Sequence, residues 1–255
     1  MKRGGFVVLL FAFLGRAAGQ ELNLGIHANP AFTSPIVSSR SQRAEGLHAG
    51  PFRLGYNVGA NAELQLPAMS IELAANCVGK SVSMYQRAQN VSGGSGYYRV
   101  TVPGIGYEFP LLVNYRLHRH DKTSVYDVYA VAGGAAEWFL QEQGISTTVS
   151  ASGSQSLSVE GGYKGRKTQG LAVAIVGFKI KAVLKNAGLV DYGATFHLPL
   201  QATGPYTSTA TYASGTASQL FSNRVYVHPS YIDVRLCYYL LNLDRKGKRI
   251  RYRGN

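Results

Sequence analysis

Apolar and polar residues alternate with a period of two in eight separate segments, which predicts eight β-strands, each with one apolar and one polar face. The pattern is clearest where Phe52, Leu54, Tyr56, Val58, Ala60, Ala62, Leu64 and Leu66 interleave with Arg53, Gly55, Asn57, Gly59, Asn61, Glu63 and Gln65. It recurs in "YEFPLLVNYRL", where Tyr107, Phe109, Leu111, Val113, Tyr115 and Leu117 oppose Glu108, Pro110, Leu112, Asn114 and Arg116. The other six segments begin at Leu22, Met69, Tyr126, Ala172, Val190 and Tyr231. In the Met69 segment the alternation blurs near Gly79, where a bulge is expected.

The connections alternate too. Short ones lie around Pro67 and Ala68, at "HRHDKT" and at "NAG", whereas long polar segments run from about Gln141 to Gln169 and from about Gln201 to Pro229. Those long stretches, rich in Ser, Thr, Gly and Tyr, read as mobile surface loops. An even strand number with short turns at one end and long loops at the other predicts an all-β fold. It is an eight-stranded antiparallel up-and-down transmembrane β-barrel with short periplasmic turns and long extracellular loops. Ten residues of strand tilted by about 40° cross roughly 25 Å, enough for the apolar layer of an outer membrane.

Which face points inward follows from volume. An eight-stranded barrel has an interior just wide enough for side chains, and the apolar faces carry too many rings to fit there. The apolar set is therefore expected outside, with Tyr107, Tyr115, Tyr126, Trp138 and Tyr238 forming an aromatic belt at the membrane interfaces. The polar faces, with charges of both signs, are expected to plug the lumen through an ion-pair network of Glu63, Glu72, Arg116, Asp127, Lys181, Asp191, Asp233 and Arg235, since buried charges persist when paired. A soluble lipocalin-like barrel would invert the faces and enclose an apolar ligand. A diffusion channel would need more strands than eight.

Composition agrees with strands rather than helices: 30 Gly and 17 Tyr accompany only 15% charged residues. Residues 1–19 have a basic start at Lys2 and Arg3, an apolar run from Phe6 to Leu14 and small residues Ala17, Ala18 and Gly19, the form of a signal peptide. Residues 20–243 then form the barrel, and 244–255 a basic periplasmic tail that includes Arg245, Lys246, Lys248, Arg249, Arg251 and Arg253. The formal charge of +13 is in good part a property of this tail and of the leader. For an exported chain, anionic lipid or a periplasmic polymer is the partner such a tail could meet, and nucleic acid is not. Outer-membrane lipid and the barrel-assembly machinery are the other expected partners.

Cys77 falls on an outward face and Cys237 on an inward one, on strands that are not neighbours, so a disulfide is not expected. "YEFPLLVNYRL" followed by "YDVYAVAGGAAEWFL" resembles the PorT-like outer-membrane β-barrel family of Bacteroidetes. The matching residues are Glu108, Pro110, Leu111, Leu112, Tyr115 and Arg116, then Ala132, Gly133 and Gly134. The resemblance implies an outer-membrane location with both termini in the periplasm and, through PorT itself, a link to protein secretion. The basic tail departs from the aromatic residue at which barrel precursors of this kind usually end.

Candidate chemistry is sparse. "HRHD" at residues 118–121 has two histidines and an acid in one turn, but a solvated polar turn explains it without a metal. His48 and His228 lie in or beside long loops, where a loop-end hydrolytic site could be built, yet no spacing demands one. "GGSG" near Gly93 lacks the strand-to-helix setting of a phosphate cradle, and "NVS" at Asn90 is a short glycosylation match of low specificity. The expectation is a non-enzymatic barrel without cofactor or metal, presenting extracellular loops or serving a structural or secretion-associated role.

Overall fold

The computed structural model describes residues 21–37, 47–50, 52–89, 95–118, 126–141, 146–151, 155–163, 168–184, 188–214 and 217–243. The leader, the basic tail, Lys185, His120, Asn90 and Gly93 lie outside these. Twelve strands and no helix occur among the described residues. They are β1 (Glu21–Val37), β2 (Leu47–Ala49), β3 (Arg53–Gln65), β4 (Met69–Gln89), β5 (Ser95–His118) and β6 (Tyr126–Gln141). The second half comprises β7 (Ser146–Ala151), β8 (Gln155–Tyr163), β9 (Thr168–Leu184), β10 (Gly188–Pro199), β11 (Thr203–Ser214) and β12 (Ala217–Leu243).

Eight of them close a ring in the order β1-β3-β4-β5-β6-β9-β10-β12, and β12 returns to pair with β1. Every ladder is antiparallel. Closure leaves no ladder edge within the ring, the one way a sheet can cross hydrocarbon without unpaired backbone groups.

Side-chain direction follows the alternation. Leu54, Tyr56 and Val58 on β3, and Tyr107, Phe109, Leu111, Val113, Tyr115 and Leu117 on β5, all point outward and are exposed. Their polar neighbours Asn57, Asn61, Glu63, Glu108 and Asn114 are buried. The lumen also takes bulk from the polar faces, where Tyr129, Phe139, Tyr231 and Tyr239 are at most 2% exposed. Leu112, Val131, Val173 and Ile175 form a small apolar patch among them.

Two expectations are corrected. The ladder runs through Gly79 without a bulge: Gly79 pairs with Tyr56 on one side and Ile105 on the other, in unbroken register. The alternation blurs there because the inward face turns apolar at Val78 and Val82, both buried. The register shifts fall instead at Leu24/Gly25, Arg116/His118 and Thr203/Tyr206.

Nor are the long polar segments loops throughout. β4 and β5 stay paired out to Gln89 and Ser95, β7 adds to β5, β11 pairs with the first half of β12, and β8 pairs with β11. The sheet thus rises past the barrel on the side opposite the Pro67–Ala68 turn. These extensions are rich in Ser, Thr and Gly with few large apolar residues, so their period-two signal is weak, yet hairpin pairing satisfies their backbone all the same.

Candidate functional site

The most distinctive feature is the charged interior, and strand register explains why it must be networked. The two-residue turn at Pro67–Ala68, closed by a Leu66 N–H to Met69 carbonyl bond of 2.8 Å, sets Glu63 directly across from Glu72. The β5–β6 register sets Glu108 across from Glu137 in the same way. Like charges directly opposite on one face repel, and all four carboxylates are essentially fully buried. Each pair therefore needs donors from elsewhere in the ring.

For Glu63 and Glu72 the donors cross the lumen from β9 and β12. Lys179 Nζ lies 2.9 Å from Glu63 Oε1, 3.0 Å from Glu72 Oε2 and 3.7 Å from Asp191 Oδ2. Lys181 reaches Glu63 Oε2 at 2.5 Å. Arg235 spans Glu72 at 2.6 Å and Asp191 at 2.9 Å. The Tyr239 hydroxyl sits 2.5 Å from Glu63 Oε2 and 2.6 Å from Asp191 Oδ2, so its single proton serves one of them at a time. Ser70 donates to Glu63, Asn61 donates to Glu72, and Cys237 donates its S–H to Asn61. Three carboxylates meet three cations, which makes the cluster neutral as a unit.

The second pair lies nearer the extended hairpins and has different donors. Lys80 Nζ is 2.7 Å from Glu137 Oε1 and sits over the Phe139 and Tyr231 rings at 5.0 and 5.2 Å. Glu108 accepts from the Tyr231 hydroxyl at 3.1 Å and from His197 Nδ1 at 3.1 Å. His197 stacks on Tyr231 with ring centroids 4.2 Å apart, and its Nε2 is 2.9 Å from Thr195 Oγ1. With its proton on Nδ1 the ring donates to the Glu108 carboxylate.

Of the residues expected in the ion-pair network, Glu63, Glu72, Lys181, Asp191 and Arg235 are brought together. Arg116 and Asp127 are not part of that cluster: they form their own pair at 3.7 Å near the short-turn end, partly exposed and joined to the interior through the Tyr129 hydroxyl. Asp233 is the other correction. It forms no ion pair among the described residues and accepts instead from the side-chain amides of Asn29 and Asn57 at 3.2 and 3.1 Å. Lys179, the central cation, was not among the expected residues, although its position on the polar face of β9 is visible in the sequence. Lys80 and His197 were missed because their partners are set by register rather than by local pattern.

On the outside, all five residues of the expected belt are exposed. Tyr107 faces Trp138 across β5–β6 at the hairpin end, with Phe109 packed edge-on to Trp138 at 5.7 Å. Tyr126 opposes Ala182, and Tyr238 opposes Val190, at the short-turn end. Tyr107 and Tyr115, eight residues apart on one tilted strand, are separated by about 20 Å along the barrel axis.

No protein-family model matches the sequence. A search of curated proteins finds no match either. Among solved structures, Neisserial surface protein A aligns at 10% identity over 83% of this chain and 96% of its own, with a TM-score of 0.38. The outer membrane protease OmpT from Escherichia coli aligns at 11% identity over 87% and 96%, TM-score 0.33. Ail, the attachment invasion locus protein of Yersinia pestis, aligns at 8% over 85% and 98%, TM-score 0.24. No residue role passes from them to this chain.

The remaining chemistry is quickly stated. Among the described residues no three His, Cys, Asp or Glu side chains are grouped as metal ligands. His228 Nδ1 contacts the Pro199 carbonyl at 2.7 Å, a strand-to-strand tie rather than a catalytic arrangement. Cys77 and Cys237 are both free thiols, one half-buried and one buried.

Proposed function

We propose that the chain is a non-enzymatic outer-membrane β-barrel whose lumen is closed by ion pairs and whose work is done by the hairpins that rise past the barrel. One observation carries this reading: the protein is dressed inside out. Large apolar side chains such as Leu54, Leu111, Leu117, Val176, Leu236 and Trp138 are about half exposed or more, while Glu63, Glu72, Glu108, Lys179 and Asp191 are fully buried. In water such a surface would far exceed the apolar patches that soluble monomers tolerate. Against lipid it is the favoured arrangement, and the filled interior opposes both a lipocalin-type ligand chamber and a diffusion channel.

Within that reading, the PorT-like resemblance of residues 107–140 favours a secretion-associated task over a purely mechanical one. The basic tail, whose structure is outside the described residues, is the segment suited to anionic lipid on the periplasmic side. The test is fractionation of the exported protein, followed by gel mobility before and after boiling. Recovery in the outer membrane with heat-modifiable mobility is expected. Recovery as a soluble periplasmic protein would overturn the reading.

A further inference from the structure

Between the two carboxylate pairs the lumen retains a small cavity, with room for about one water-sized body. Its wall includes His27, Asn57, Asn76, Asp233, Glu72 and Arg235. Buried polar atoms in folded proteins nearly always find a partner. Four atoms on this wall have no hydrogen-bond partner among the described residues: Asp233 Oδ1, Asn57 Oδ1, Asn76 Oδ1 and His27 Nδ1. All four residues are at least nine-tenths buried, with Asp233 3% and Asn57 1% exposed.

The chemistry of this set is specific. Three of the four atoms are oxygens that can only accept, and Asp233 forms no ion pair among the described residues, whereas Glu63, Glu72, Asp191 and Glu137 each meet a Lys or Arg and Glu108 meets His197 and Tyr231. Asn57 cannot turn its amide to relieve the mismatch, because its Nδ2 already donates to Asp233 Oδ2 at 3.1 Å. Arg235 cannot serve either, being held by Glu72 and Asp191. A buried, unpaired carboxylate ringed by amide oxygens is a hard-cation environment.

We propose that this cavity binds one small monovalent cation, with the size and hardness of Na+, through Asp233 Oδ1 and the amide oxygens of Asn57 and Asn76. A divalent ion is disfavoured because only one carboxylate is uncommitted and Arg235 stands on the same wall. The site would supply a counter-charge to Asp233 between the two networks. It depends on the closed barrel but not on where the barrel resides, so its test is separate from fractionation.

The experiment is thermal unfolding of the full chain folded in detergent micelles, in NaCl and in N-methylglucamine chloride at equal ionic strength. Heat-modifiable mobility verifies the barrel in each sample. A saturable Na+-dependent rise in midpoint is expected, about 3 °C at a tenfold excess over the dissociation constant. Broadening of the 23Na resonance by the folded protein should saturate over the same range. Asp233→Asn should remove both effects. Asn76→Leu, which deletes an oxygen with no other partner among the described residues, should weaken them even if Asp233→Asn fails to fold. Equal midpoints in the two salts, or an undiminished Na+ effect in Asn76→Leu, would overturn the proposal and leave the cavity to water.

Discussion

Replacing Lys179 with Met is the sharpest trial of the lumen network. Lys179 is fully buried and contacts three carboxylates at 2.9, 3.0 and 3.7 Å. At an effective dielectric of about 20, each near-contact pair is worth about 5 kcal/mol before desolvation. Most of that gain is offset by taking the ions out of water, so the intact cluster adds little net stability. Its removal is different. Methionine fills the same space but leaves Glu63, Glu72 and Asp191 facing only Lys181 and Arg235, with Glu63 and Glu72 directly opposed across the ladder. Uncompensated buried charge of this kind costs about 3–5 kcal/mol.

The contrast is Arg116→Ala, whose pair with Asp127 is longer and partly exposed, at 12% and 19% for the two side chains; that loss should be about 1 kcal/mol or less. The assay is urea unfolding in micelles, read by the fluorescence of Trp138, the protein's one tryptophan. Adding Glu63→Gln to Lys179→Met should restore part of the loss, because it removes one of the stranded charges. Equal effects of the Lys179 and Arg116 variants, or no recovery in the double variant, would refute the assignment of Lys179 as the centre of the network.

Three further outcomes are expected. Leu111→Arg on the outward face should destabilise the barrel by about 2–4 kcal/mol in lipid vesicles, measured by reversible unfolding, because it places a charge near the bilayer midplane. Gly193→Ala should lower the unfolding midpoint, since its methyl would run into the β9 backbone at Phe178 and Lys179, whereas Gly170→Ala, with nothing within 4 Å, should not. Planar-bilayer recordings of the reconstituted protein should show no conductance steps, as Tyr129, Phe139, Tyr231 and the ion pairs fill the lumen; regular steps of one size would contradict a plugged interior.

Much of this was legible in the sequence because strand period and face are the same information. Once Leu54 and Tyr56 are read as sharing a face, Asn57, Asn61 and Glu63 must share the other. Even the Glu63–Glu72 opposition can be read, since the two lie at equal distances from the Pro67–Ala68 turn. Lys179 was harder. Parity puts it inward, but which carboxylates it reaches depends on the lumen being narrow enough for a lysine to cross, a property of the closed ring. The same holds for His197 and Glu108, 89 positions apart in the chain. The hairpin extensions were illegible for another reason: β8 and β11 are built mainly of Ser, Thr, Gly and Ala, so their pairing leaves little trace in residue type.

The pairing of β12 with β1 imposes an order of events on assembly. Until residues 227–243 arrive, β1 and β10 each present a row of unpaired backbone groups, which hydrocarbon does not tolerate. The same strand carries Arg235, Tyr239 and Tyr231, so the polypeptide's last ladder also delivers the counter-charge for Glu72 and Asp191 and the hydroxyl for Glu108. An intermediate lacking β12 is thus both open at its seam and electrostatically unbalanced within. Pairing β12 with its two neighbours therefore closes the seam and brings Arg235 to Glu72 and Asp191 in one event, so ring closure and charge balance of that cluster are coupled.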